Sequence, residues 1–114
     1  MKIRKLRLNE IDILARKLVE KYPGEDLEDI KQHTEWHLRG FPEICLGVEE
    51  NGKLIGFIIC HLHTDSLEIE DIFVERGFEK AYKILLKEVI SRIPEVDTVT
   101  IWMENFIEFL EQLK

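Results

Sequence analysis

Two histidines in the segment "HTEWH", His33 and His37, stand four residues apart, a spacing that lets two imidazoles on neighbouring helical turns reach one metal ion. Glu35 lies between them on a different helix face. This is not the His-Glu-x-x-His arrangement of zinc peptidases, where the glutamate follows the first histidine directly. Further on, "CHLH" brings Cys60, His61 and His63; on a strand the two histidines share one face and the cysteine takes the other. The plainer reading of all four histidines is solvation or ordinary hydrogen bonding, and no metal site is assigned.

The other segment with chemical content is "LEIEDIFVERGFEKA" at 67–81. Alternation puts Glu68 and Glu70 on one face of a strand. Where such a strand splays from a parallel neighbour, its free N–H and C=O groups can pair with an extended, amide-bearing ligand. Beyond the strand, the first amides of the next helix lack intrahelical acceptors and sit at the positive end of the helix dipole, which suits an anion. A phosphate loop there would be glycine-rich, yet this one holds one glycine, Gly77, with two glutamates, Glu75 and Glu79.

These residues must be carried by a small chain. The 114 residues suffice for one domain, 1–114, with one core. With 45% apolar and 34% charged residues, the composition is that of a soluble globular protein. A net charge of −7 argues against a nucleic-acid surface. No apolar run approaches the roughly 20 residues that span a bilayer, and "MKIRKLRLNE" has no apolar stretch behind its basic residues. A cytoplasmic protein without a membrane segment is expected, with Cys45 and Cys60 as buried thiols rather than a disulfide. Abundant Glu, Lys and Ile with few Gln resemble a thermophile's usage.

Along the chain, "KIRKLRL" alternates as a strand, and Asn9 stands as an N-cap with Asp12 in a capping-box position. Ile11, Leu14, Ala15, Leu18 and Val19 predict a helix over 10–21, ended by "YPGED". Leu27, Ile30, Thr34 and Leu38 predict a second helix closed by Gly40. "ENGK" marks a hairpin between strands at 44–49 and 53–63. A strand at 67–74, a helix reaching Ile93-Pro94, a strand at 96–103 and a short last helix complete the order β-α-α-β-β-β-α-β-α. The strand-helix-strand unit from 67 to 103 predicts a parallel pair, and hence a mixed α/β sheet of about five strands with helices on both faces.

This order resembles the GNAT superfamily of N-acetyltransferases, shortened at its C-terminal end. "IRKLRLNEIDILARKLVE" looks like the family's first strand and helix, "VEENGKLIGFI" like its second hairpin, and "EIEDIFV" like the fourth strand, which holds the pantetheine arm of acetyl-CoA. The resemblance implies acetyl-CoA as cofactor and direct transfer of its acetyl group to a small-molecule or peptide amine. The backbone of Ile72, Phe73 and Val74 would hold the thioester end. The family's phosphate loop, Arg/Gln-x-x-Gly-x-Gly/Ala, aligns with Arg76, Gly77, Phe78, Glu79, Lys80 and Ala81. Glu70, or Glu68, would be the base that takes the ammonium proton. Asn105 matches the asparagine that precedes the family's tyrosine acid.

The chain departs from that pattern at several points. Glu79 stands where the central glycine belongs, and its carboxylate would repel phosphates; Arg76, Lys80 and Lys83 could compensate. The loop is about three residues shorter than usual. "NFIEFLEQLK" has no tyrosine, Tyr22 and Tyr82 lying in other elements, so solvent would serve as acid. An alternative reading is therefore an inactive GNAT-like binding module. A homodimer joined through the strand at 96–103 is compatible with either. Trp36 and Trp102 are expected to pack, with an acceptor pocket as the alternative for Trp36. "EDLEDI" is read as an acidic helix start.

Overall fold

A computed structural model describes residues 1–101 and 111. Its strands are β1 (Lys2–Lys5), β2 (Leu46–Glu50), β3 (Lys53–Leu62), β4 (Ser66–Val74) and β5 (Thr98–Ile101). Its helices are α1 (Ile11–Lys21), α2 (Leu27–Gly40) and α3 (Lys80–Arg92), with short 3-10 turns at Leu8–Glu10 and Pro42–Ile44. The sheet order is β1-β2-β3-β4-β5, antiparallel except for the parallel pair β4–β5 across α3. This is the mixed sheet expected from the order of hydrophobic periods. The expected last helix and the end of the strand at 96–103, with Trp102 and Asn105, lie outside the described residues.

Alternation along the strands sorts the core into two layers. Leu67, Ile69 and Ile72 of β4 and Ile58 and Cys60 of β3 face α3, where Ala81, Tyr82, Leu85, Leu86 and Val89 cover them. Phe57 and Ile59 point to the other side, where they meet Leu14 and Leu18 of α1 and Leu38 of α2. The hairpin between β2 and β3 turns on Asn51 (φ 53°) and Gly52 (φ 79°), the doubly positive geometry for which Asn-Gly is suited.

Two local expectations are corrected. The start of α1 is not capped by Asn9 with Asp12. Instead the Arg7 N–H donates to Glu10 Oε1 (2.8 Å), and Arg4 clasps the same carboxylate with two bonds of 2.8 and 2.7 Å. Asp12 is engaged elsewhere, with Arg16 and Lys31 at 2.9 Å each. Gly40 is the last residue of α2 rather than a left-handed residue beyond it. Cys45 and Cys60 are free, buried thiols in opposite core layers. Burial pushes the Cys45 thiol up to about 11 and Cys60 well above its ordinary value, so neither is a poised nucleophile. No helix among the described residues is long and apolar enough to cross a membrane.

Candidate functional site

The geometry turns on an irregularity in β4. Ile59 pairs with Asp71 and Cys60 with Ile69, so Glu70 is the extra residue of a β-bulge. A bulge breaks strict alternation. Glu70 therefore stays on the helix-α1/α2 side, as alternation from Glu68 predicts, and Asp71 joins it there instead of turning into the α3 layer. Both carboxylates line a cleft of about 270 Å³ walled by Leu18, Tyr22, Glu25, Ile30, His33, Thr34, His37 and Ile59. The sequence reading missed Asp71 because a bulge is a property of strand pairing, invisible in a single segment.

The two acids differ in setting. Burial pushes the Asp71 carboxyl up to about 6, opposed by a hydrogen bond from the Tyr22 hydroxyl and assisted by the neighbouring Glu70 charge. Tyr22 comes from the end of α1, just before the chain turns through Pro23 and Gly24 (φ +100°). Glu70 reaches the other way, its Oε2 lying 3.9 Å from His61 Nδ1. His61 Nδ1 is in turn 3.0 Å from His37 Nε2, and His37 Nδ1 donates to the His33 carbonyl at 2.7 Å. Desolvation lowers the His37 pKa and holds the ring neutral. Trp36, expected to pack, is instead 57% exposed. Its ring stands edge-on to His37 (4.9 Å) and His61 (5.8 Å), on the rim of the same region.

At the C-terminal end of β4 the backbone directions follow from one bond. The Glu75 N–H donates to Ile55 of β3 (2.8 Å), so odd-numbered residues here face β3 and Ile72 and Val74 face away. The Ile72 carbonyl accepts from Lys21 Nζ at 2.6 Å. Pairing with β5 runs from Ser66↔Thr98 to Ile69↔Ile101, and what lies beside Ile72 and Val74 on that side falls outside the described residues. The Phe73 side chain does not point there: it stacks on Phe57 at 5.5 Å, with Lys17 Nζ 5.7 Å from its ring centroid.

The turn from β4 into α3 carries the candidate anion site. Gly77 has φ +93°, which glycine adopts without strain. Its N–H donates to Glu79 Oε1 at 3.0 Å. That hydrogen bond, with one from Glu79's own N–H and the nearby Arg76 charge, lowers the Glu79 pKa. The Phe78, Ala81 and Tyr82 amides are bonded within the turn, to the carbonyls of Glu75, Phe78 and Glu79. The loop thus already holds an anion, and it is the chain's own. Arg76 and Lys80 are exposed around it, while Ala81 is fully buried in the α3 layer and acts as a packing residue. As formed here, the loop does not fit a pyrophosphate until Glu79 leaves.

Residues 10–105 match the model of the Acetyltransferase (GNAT) family. No curated protein sequence matches the chain. Among solved structures, the chain is similar to a possible acetyltransferase from Clostridium difficile 630, with TM-score 0.76 and 14% identity over 98% of this chain and 88% of that one. It is similar to ribosomal-protein-alanine N-acetyltransferase from Brucella melitensis biovar Abortus, with TM-score 0.72 and 19% identity over 99% and 91%. A third likeness is to Chaetomium thermophilum Naa20, solved with a bisubstrate analogue, with TM-score 0.72 and 14% identity over 99% and 70%. At these identities the likeness shows the fold alone.

Proposed function

Because the chain belongs to the GNAT acetyltransferase family, we propose that it acetylates a primary amine, of a small molecule or a protein, using acetyl-CoA. The observation that carries this reading is the bulge at Glu70, which sets two carboxylates into one cleft beside the outward-facing backbone of β4. With Glu25 also in the wall, the cleft favours a cationic acceptor. Glu70 takes the ammonium proton, and the Tyr22-bound Asp71 adds negative charge that holds the amine. Acetyl-CoA, when bound, supplies the acetyl group as a thioester; Ile72 and Val74 offer backbone groups to its amides. Arg76, Lys80 and Lys83 offer charge to its phosphates once Glu79 has swung out.

A second reading, an inactive binding module of the same fold, is supported by the Glu79 carboxylate on the Gly77 amide and the Lys21 ammonium on the Ile72 carbonyl. Calorimetric titration with acetyl-CoA separates the two. Micromolar binding by the natural protein supports the transferase, and Glu79→Gly should tighten it about tenfold by freeing the amides. Absence of binding by both proteins would leave only the module. In an amine-acetylation assay Glu70→Gln should lower kcat by about 10²-fold with little change in acetyl-CoA affinity. We also propose a homodimer through β5, whose Thr98–Ile101 segment is mostly exposed and has a described partner only in β4. A monomer mass in sedimentation at 50–100 µM, roughly a protein-interface working range, would refute it.

A further inference from the structure

We propose that His61, His63 and Glu68 form a zinc site at the turn end of the β3–β4 hairpin, separate from the acetyl-transfer chemistry. His61 on β3 and His63, just beyond its end, are two apart, and Glu68 is the cross-strand partner of His61. The two imidazoles approach each other, and the Glu68 carboxylate turns one oxygen to each of them. His61 Nε2 is 3.2 Å from His63 Nε2, His63 Nε2 is 3.1 Å from Glu68 Oε1, and Glu68 Oε2 is 3.3 Å from His61 Nε2. Zinc–ligand bonds of about 2.0–2.1 Å in a tetrahedron require ligand atoms about 3.3 Å apart, close to each of these separations. The three side chains thus converge at ligand spacing, and His63 is 54% exposed.

The hydrogen-bond directions are compatible with that geometry. His37 Nδ1 faces the His33 carbonyl at 2.7 Å and must donate to it. In the neutral ring His37 Nε2 is then an acceptor, so His61 Nδ1, 3.0 Å away, must be the donor. In that tautomer the His61 lone pair is on Nε2, on the side of Glu68. One hydrogen on His63 Nε2 can serve Glu68 or His61, but it leaves the His61 lone pair facing the Glu68 oxygen at 3.3 Å, acceptor against acceptor. A proton on His61 Nε2 or a metal ion between the two groups each resolves the conflict, and metal titration distinguishes them. The His33–His37–His61 chain is the kind of buried support that fixes a ligating histidine in the correct tautomer. A second cluster, His37, His61 and Glu70, also comes together, but it would use His61 Nδ1, the nitrogen already committed to His37.

The test is zinc titration of the full chain by competition with a chromogenic chelator, with cobalt spectra to read coordination. One equivalent bound in the micromolar range or tighter is expected, with tetrahedral cobalt bands. His63→Ala and Glu68→Gln should each weaken binding by about tenfold or more, and His37→Phe by about 10–100-fold through loss of the tautomer. Zinc should raise the melting temperature of the natural protein but not of His63→Ala. Where His63→Ala fails to fold by circular dichroism, His63→Gln replaces it. No zinc binding, or binding that survives both ligand changes, overturns the proposal. So does binding abolished by Glu70→Gln and unaffected by Glu68→Gln, which would place the ion in the other cluster. None of these readouts depends on acetyl transfer.

Discussion

The two faces of the central sheet are built from the same strands and serve opposite ends. Toward α3, β4 presents Leu67, Ile69 and Ile72, all with at most 1% exposure, and the layer is apolar from end to end. Toward α1 and α2, the same strand presents Glu68, Glu70 and Asp71. The apolar core of that side ends at Phe57, Ile59 and Phe73. The α3 face is where stability is concentrated; the α1/α2 face gives part of its burial to ionisable groups. A period of two lets one strand do both, and the bulge at Glu70 adds Asp71 to the polar side.

That contrast can be broken most severely from the α3 side. Leu85→Ala, at a fully buried position, should cost about 2–5 kcal/mol in chemical denaturation, through lost burial and a residual cavity. A loss below about 1 kcal/mol would mean that the layer can collapse around the gap and is not the stabilising face. On the cleft side the expected effect is smaller and depends on pH. Asp71 titrates at about 6 in the folded protein, above its ordinary value of 3.8. Between those values the native state holds more protons than the unfolded chain, so stability falls as pH rises from about 4 to about 6, by roughly 2 kcal/mol with solvent access to the cleft allowed for. Asp71→Asn should flatten that slope and leave the variant more stable than the natural protein at pH 7; an unchanged slope would assign it to other groups. Smallest of all, His63→Ala in zinc-free buffer should shift stability by no more than about 0.5 kcal/mol, since the ring is largely exposed.

Legibility varied in the same way across the molecule. The hairpin was readable because Asn51-Gly52 is a local device: both residues take positive φ whatever surrounds them. The first helix was readable from its apolar stripe, and Leu14, Ala15 and Leu18 of α1 are indeed buried. The helix start at residue 10 was misread, because Glu10 serves the Arg7 amide and Arg4 at once, and Arg4 is brought there by strand pairing. Glu70 could be placed on its face by counting from Glu68. Asp71 could not, because counting gives it the opposite face. Glu79 was recognised as foreign to a phosphate loop, but repulsion was all its charge implied; its seat on the Gly77 amide depends on how the turn folds.

By itself, then, the sequence of apolar and polar residues determined which elements form, in what order, and which side of each is dry. Those choices depend on backbone propensities and on periods of 3.6 and 2, which operate over a few neighbouring residues. Tertiary structure decided what the polar side can do. The register of β3 against β4 placed the bulge at Glu70, and with it a pair of acids under Tyr22. The packing of α2 on that sheet brought His37 to His61, 24 residues away along the chain, and strand pairing set Glu68 beside His61 Nε2. Hydrogen-bond direction and ligand distance are relations between segments, so they come into existence only when the segments meet.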